Sequence, residues 1–434
     1  MKTSLLALAL LGALAPLAHA ADTSTSPIQL YVLLDEGVAH IDHSLPANQQ
    51  FAFSLNPYNV PAQSQHSLNT VVSGGASMSR FGIQGKYDLD DGFKAFFKLE
   101  SAINLNNGDF ANNGKTVLEN ANSLTTISGA SSINGQLFAR AAYAGISHDT
   151  WGAVEIGRTP AFSYDQTVDY DPLRASGLYS AIGFSGAIGG GLGITENARL
   201  DNTIQYENTF GDFNVGAQYK FGQTNSTDAA DIASVFEAKA AYKNGPFSIQ
   251  ATGSETRNSA SLSFKLFTND VGLRICDTNG VMLTAKYDLS PASTLDLGWE
   301  RTNQDNPSSS NNWGTQITTY YGMSLAALVT AKAYGNTWGD AVVRTSWFGG
   351  NYLISPKVNL IAAYYDVDNY GNNHNDQYTI QAFSLMGDYI FNKKVDVYVA
   401  AMPTRYSGAY LTQFSPITLA KSNAIFGTGL RLRF

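Results

Sequence analysis

The chain carries one cysteine, Cys276, in 434 residues, so no internal disulfide can form and the fold must rest on hydrogen bonding and packing. With no histidine placed to activate it, that thiol is expected to be buried or idle. Histidine is also scarce: His19, His40, His43, His66, His148 and His374 fall mainly in loop-like segments, and no Cys/His cluster has zinc spacing. The usual catalytic signatures are missing, with no Gly-x-Ser-x-Gly elbow, no His-Glu-x-x-His and no phosphate-binding loop. The run Gly189-Gly190-Gly191-Leu192-Gly193 is glycine-rich but lacks the Lys-Ser/Thr pair that holds a nucleotide, and reads as a folded loop. The expectation is therefore no enzyme, no metal and no cofactor, with a Ser/His pair on a barrel rim as the enzymatic alternative. Basic residues are in deficit, 27 Lys+Arg against 35 Asp+Glu for a net charge of −8, which argues against nucleic acid as a partner. Long hydrophobic runs are absent beyond the N-terminus. The best, Leu325 to Ala331, is far below the roughly 18 residues that a membrane helix needs. If the mature chain enters a membrane, it does so as a closed barrel, which satisfies every backbone group without water.

At the N-terminus, Lys2, an apolar run from Leu5 to Leu17 and Ala18-His19-Ala20 make the pattern of a cleaved secretory signal. Residues 1–20 are expected to be removed on export, leaving 21–434 as one barrel domain. A retained anchor is the alternative, disfavoured by the shortness of the run and by Gly12 and Pro16 within it.

The last stretch, Ser422 to Phe434, alternates. Phe434, Leu432, Leu430, Thr428, Phe426 and Ala424 share one face of an extended strand, and Arg433, Arg431, Gly429 and Gly427 share the other. Ending on an aromatic, it reads as a strand whose apolar face meets lipid. The same grammar recurs along the chain as alternating strands joined by tight turns at Asp90-Asp91-Gly92, His148-Asp149-Thr150, Gly211-Asp212, Asn244-Gly245-Pro246, Ser290-Pro291, Pro356 and Asn392-Lys393. These hairpins, with a first strand at Ile28 to Gly37 and the last one, predict about sixteen strands in an all-β, transmembrane antiparallel barrel. Phe434, Leu432 and Leu430 are expected in the strand that closes it against Ile28–Gly37. Longer segments at 40–77, 105–134, 159–198, 222–231, 255–280, 302–340, 367–377 and 405–421 fall on the opposite rim. A soluble sandwich shows the same alternation. Tyr87, Tyr219, Phe221, Tyr242, Tyr287, Trp299 and Tyr364, outward near strand ends, favour aromatic girdles at a bilayer.

Parity sends Arg80, Lys86, Lys94, Lys98, Glu100, Lys220, Lys239, Lys286, Arg431 and Arg433 inward, where a charge avoids the roughly 2–4 kcal/mol cost of the lipid face at mid-depth. Arg199 and Gln205 follow if Ile204 and Tyr206 alternate outward, and Arg140, opposite Tyr143 in parity, can join them. Arg158 shares the parity of Val154 and Ile156 and points to lipid unless a bulge intervenes. The segment 159–198, with Asp165, Asp169 and Asp171 at its middle, is a candidate for folding into the channel, where its acids would face the basic wall; an external solvated loop is the alternative.

Several stretches resemble the general porins of betaproteobacteria. They are Ser79-Arg80-Phe81-Gly82-Ile83-Gln84-Gly85, Gly92 to Ser101, Gly135 to Arg140 with Ala142-Tyr143-Ala144-Gly145, Gly152 to Arg158, Arg199 to Tyr206 and the final Gly429 to Phe434. The resemblance implies a homotrimer of sixteen-stranded outer-membrane barrels, each with its third loop folded into the lumen. It also implies that Arg80, Arg140 and Arg199 line the narrowest point, with Glu100, its neighbour Lys98 and one or more of Asp165, Asp169 and Asp171 near or opposite them. The terminal strand would be read by the outer-membrane assembly machinery. Outer-membrane lipid, lipopolysaccharide, small solutes and ions complete the expected partners. The expected function is passive diffusion of small hydrophilic solutes, biased toward anions. Alternatives are a specific channel for a small anion or carboxylate, and a surface barrel acting as a structural protein or adhesin.

Overall fold

The computed structural model describes residues 27–43, 67–108, 110, 137–184, 192, 198–222, 234–264, 271–305, 319–320, 323–324, 341–370, 377–409 and 420–434. The expected signal peptide and all but Leu192 of the glycine run lie outside them.

Seventeen strand segments form one antiparallel sheet that closes on itself. They are β1 (Ile28–Ile41), β2 (Leu68–Ser73), β3 (Arg80–Asp88), β4 (Phe93–Ala102), β5 (Ala141–His148), β6 (Gly152–Pro160), β7 (Arg199–Phe210), β8 (Phe213–Lys220), β9 (Ser234–Asn244), β10 (Phe247–Phe264), β11 (Val271–Ser290), β12 (Ser293–Asp305), β15 (Ala341–Ser355), β16 (Val358–Asn369), β17 (Tyr378–Asn392), β18 (Val395–Gly408) and β19 (Ser422–Arg433). A two-residue ladder, β13 (Thr319–Tyr320) with β14 (Met323–Ser324), stands apart from the wall. Because β2 and β3 both pair with β1 and are two halves of one broken strand, the barrel has sixteen strands. Among the described residues no helix is long and apolar enough to cross a membrane.

Closure is made by β1 and β19, with Leu34 opposite Leu432, Glu36 opposite Leu430 and Ile41 opposite Ile425. Phe434 adds a reciprocal backbone pair with Val32, 2.9 Å each way. The closing register thus spans Leu33–Ile41, higher on β1 than the expected Ile28–Gly37. No sheet edge remains along this seam. Exposed Leu30, Ile156, Leu283, Phe348, Val399 and Phe426 alternate with buried or half-buried residues along their strands, giving an apolar outer belt and a polar inner wall.

All seven expected hairpin turns are present as short connections. The strands facing the long-loop rim run further than expected: β10 reaches Phe264 and β11 begins at Val271, inside a stretch predicted as loop, and β2 lies within 40–77. The physical reason is visible at Ser254 to Arg257 and Asp277 to Gly280. These short polar stretches interrupt the apolar alternation and read as loop, while the backbone ladder continues through them to segments where alternation resumes, at Ala260, Leu262 and Phe264 and at Val271, Leu273 and Ile275.

Two irregularities re-aim residues into the lumen. Between β2 and β3 the chain leaves the ladder over residues 74–79, starting at Gly74 with φ +77°. Asp35, fully buried, gathers this detour: its Oδ2 accepts from the Ala76 N–H at 2.9 Å and the Ser77 N–H at 2.5 Å, and its Oδ1 from the Tyr398 hydroxyl at 2.9 Å. On β6 a bulge between Gly157 and Thr159, with Gly157 at φ +137°, turns Arg158 away from lipid. Arg158 is buried, donating to the Ala139 carbonyl and pairing with Asp201, both at 2.6 Å.

After β6 the chain turns inside. Helix α1 (Phe162–Tyr170) buries Phe162, Ser163, Gln166, Thr167 and Tyr170 against the wall and leaves Tyr164, Asp165, Val168 and Asp169 on its open side. Ser163 donates through N and Oγ to Glu237, Gln166 reaches the Gln250 carbonyl and Thr284, and Trp347 Nε1 donates to the Tyr170 carbonyl at 3.0 Å. The loop then follows the wall past β16, β17 and β18, where Leu173, Leu178, Tyr179 and Ile182 pack with Tyr365, Met386 and Tyr398. It reaches the 74–79 detour, where Ser176 Oγ and the Leu178 N–H both donate to the Gly75 carbonyl. Wall glycines make room for it: a Cβ on Gly216 would sit 2.7 Å from Phe162, and one on Gly427 would overlap the Tyr179 hydroxyl.

Candidate pore constriction

Beside the first turn of α1, inward residues of β3 and β4 and the turn before β5 converge on one carboxylate. Glu100 Oε1 accepts from Arg140 Nε at 2.6 Å. Its Oε2 accepts from the Tyr31 hydroxyl at 2.6 Å and lies 3.7 Å from both Arg80 Nε and Lys98 Nζ. Three cations share one acid, so the cluster keeps a net positive charge. The short, charge-assisted contacts hold the guanidinium of Arg140 in place. Arg80 and Arg140 also reach Met78 in the strand break, through its carbonyl at 3.2 Å and its sulfur at 3.1 Å.

Arg199, at the start of β7, approaches the same first turn of α1. Its guanidinium lies 3.5 Å from the centre of the Tyr164 ring, a close cation–π contact, and it donates to the Ala198 carbonyl. The charge of Arg140 acts on the Tyr164 phenol as well, so one phenol stands between the arginine of the loop's own root and the arginine of the Glu100 cluster. Further along, Lys239 pairs with Glu207 at 2.9 Å and sits over the Phe162 ring. Lys286 pairs with Asp296 at 3.2 Å and donates to the Asp169 carbonyl.

The three acids of the loop separate by position. Asp165, on the open side of α1, faces the charges of Arg199, Lys239 and Lys98; burial raises its carboxyl to about 7 despite them. Asp169, one helical turn on, faces Lys286, and burial raises it as well. Asp171 meets no arginine of this group. It accepts from the Tyr365 hydroxyl at 2.6 Å, from Ser180 at 2.7 Å and from the Ala175 N–H at 2.7 Å, tying the loop's turn to β16. Burial also pushes the Tyr164 phenol up, but Arg199 and Arg140 outweigh it and bring it down to about 8.

Arg140 arrives by a different route from the one parity suggested. Tyr143 itself is buried on the lumen side opposite Lys98, and Arg140 reaches Glu100 from the turn that precedes β5, where strand parity does not apply. Tyr164 was not legible as a site residue, since a loop helix has no sheet parity. Tyr31 was not singled out either, although strand parity puts it on the same face of β1 as buried Asp35.

A closed sixteen-stranded barrel with short turns on one rim, long loops on the other and one loop packed against its inner wall defines an outer-membrane diffusion channel. The profile of the Gram-negative porins matches residues 7–409, and the chain belongs to that family. An outer membrane porin protein of Bordetella pertussis is 26% identical over 457 residues, covering 100% of both chains. Among solved structures, the anion-selective porin from Comamonas acidovorans superposes with a TM-score of 0.63 at 19% identity, covering 94% of this chain and 99% of that one. A trimeric form of OmpT from Vibrio cholerae superposes at 0.56 with 16% identity over 94% and 99% of the two chains. The protein is thus an outer-membrane porin, a water-filled channel for passive diffusion of small hydrophilic solutes and ions.

Proposed function

We propose that Arg80, Lys98, Arg140 and Arg199, together with Tyr164, Asp165 and Asp169 of the adjoining α1, form the selective constriction, and that it favours anions. The observation that carries this reading is the convergence of Arg80, Lys98 and Arg140 on the single carboxylate of Glu100. A passing anion meets surplus positive charge there, although the chain as a whole is acidic. The similar porin of Comamonas acidovorans is itself anion-selective, which agrees with this. Asp171 serves as an anchor of the loop.

The protein acts as a channel without catalytic chemistry, assembled as a homotrimer, for which the trimeric Vibrio form is the support. It is exported through removal of residues 1–20, with 21–434 as the mature domain. Its belt contacts outer-membrane lipid and lipopolysaccharide, and Phe434 at the rim of the closing strand is the mark read by the assembly machinery.

Reversal potentials in planar bilayers under a salt gradient test the constriction. Arg80→Gln, Arg140→Gln and Arg199→Gln should each shift the anion-to-cation permeability ratio toward cations, by a factor of about 3 per charge removed, from ~0.7 kcal/mol between unit charges ~6 Å apart in water. If all three leave the ratio unchanged while current persists, selectivity resides elsewhere in the lumen.

A further inference from the structure

The detour over residues 74–79 carries contacts at both of its ends. The Gly75 carbonyl receives the far end of the inward loop, from Ser176 Oγ at 2.7 Å and the Leu178 N–H at 3.1 Å. Met78 receives the arginines: Arg80 Nη1 donates to its carbonyl at 3.2 Å and Arg140 Nη1 to its sulfur at 3.1 Å. Wall anchors fix the stretch between them. Asp35 takes the Ala76 and Ser77 N–H groups, and its own N–H and carbonyl exchange hydrogen bonds with the Ser79 hydroxyl, both at 2.9 Å. The Ser79 carbonyl accepts from the Ile103 N–H at 2.9 Å. The backbone of Met78 therefore has little freedom, and its side chain is kept beside Arg140.

Arg140 divides its donors unequally. Its Nε is held by Glu100 Oε1 at 2.6 Å in a charge-assisted bond, whereas its Nη1 rests on a thioether, a weak acceptor. That sulfur is also a chemical handle, since a two-electron oxidant turns a flexible apolar methionine into a polar sulfoxide. Reach decides which methionines react. Met282, Met386 and Met402 are 0%, 2% and 0% exposed, while Met78 is only half-buried, beside a channel that passes small hydrophilic solutes.

We propose that Met78 is an oxidation site that tunes the constriction: hydrogen peroxide or hypochlorite in the channel converts its thioether to a sulfoxide, whose oxygen grips Arg140 and weakens the preference for anions. With peroxide, the O–O bond breaks, one oxygen forms the S–O bond and the other leaves as water with both protons; sulfur loses two electrons and peroxide gains them. With hypochlorite, the same oxygen transfer leaves chloride. The new oxygen points the negative end of a dipole at the Arg140 guanidinium, where the thioether offered only a weak acceptor. Part of the positive charge that a passing anion would meet is thereby screened. The inference rests on the arginine constriction proposed above.

The folded protein, treated with dilute hydrogen peroxide, mapped by peptide mass spectrometry and then reconstituted in planar bilayers, tests this. Met78 should gain one oxygen well before Met282, Met386 and Met402. The anion-to-cation permeability ratio of the oxidised channel should fall, by less than the about threefold expected for loss of a whole charge. Met78→Leu channels should not respond to peroxide, and Met78→Gln, whose amide oxygen imitates the sulfoxide, should show the lowered ratio without it. Oxidation of Met282, Met386 or Met402 ahead of Met78, an unchanged ratio once Met78 is oxidised, or an equal peroxide response in Met78→Leu would each overturn the proposal. Arg140→Gln keeps the two readings apart. If it shifts the ratio while oxidised Met78 does not, the constriction stands and the oxidation site fails; if neither shifts it, the constriction itself has failed.

Discussion

Asp165 and Tyr164 are neighbours on α1, and burial drives both toward their neutral forms, yet only the phenol meets enough arginine to be drawn the other way. Asp165 gains its negative charge as pH rises through about 7, and Tyr164 begins to ionise near about 8. Both changes subtract positive charge from the constriction as pH increases. Anion preference should therefore fall between pH 6 and pH 9, by a factor of about 3 per unit charge. Reversal potentials across that range give the measurement: Asp165→Asn should flatten the lower half of the profile and Tyr164→Phe the upper half. A flat wild-type profile would remove both groups from the ion path. At this scale the sequence was informative where a side chain belongs to an uninterrupted strand. Arg80, Lys98, Glu100 and Gln205 point inward as their parity requires, because a charge on the lipid face is costly. It was silent or misleading where the ladder breaks. Arg158 needed the bulge at Gly157, Arg140 works from a turn, and Asp171 is spent on Tyr365, a residue 194 positions away whose proximity no local pattern reveals.

Among the elements, β19 shows how closure is secured on the inner side. Arg431 donates to Asp396 at 2.6 Å and Asp388 at 2.8 Å, and Arg433 also reaches Asp396, so the last strand is pinned to β17 and β18 by charge as well as by its backbone ladder. Asp396→Ala should cost on the order of 2–3 kcal/mol, the scale of hydrogen bonds to a charged group. The lumen admits water, so the loss stays below the about 3–5 kcal/mol of breaking a pair in a dry interior. It should appear as a lower temperature for loss of the folded band on gels at a fixed heating rate, a kinetic measure suited to barrels that unfold irreversibly. An unchanged temperature would mean that the backbone seam alone closes the barrel. The seven tight turns were readable because Gly, Asn, Asp and Pro mark them. The upper parts of β10 and β11 were not, since the polar stretches 254–257 and 277–280 cut them off from the alternation lower in the same strands.

For the molecule as a whole, the inward loop completes most of a circuit, from β6 along β9 to β12, then β15 to β18, and finally to the break between β2 and β3. Its seats are partly negative: Gly216 and Gly427 are cavities cut in the wall for Phe162 and Tyr179. Filling one, as in Gly216→Val, should cost about 1–3 kcal/mol of overpacking and displace α1. The visible result would be an altered unitary conductance in bilayers; an unaltered one would show that the helix does not border the path. Fastened at so many points around the circumference, the loop resembles a tie rod inside a hoop more than a flap on a hinge. It cannot swing clear without breaking several anchors at once, so the aperture and the wall deform as one body. The open channel should then be quiet. Loosening the far end with Tyr365→Phe and Ser384→Ala, which remove the hydroxyls that hold Asp171 and the Tyr179 carbonyl, should raise open-channel current noise well before it changes the mean current.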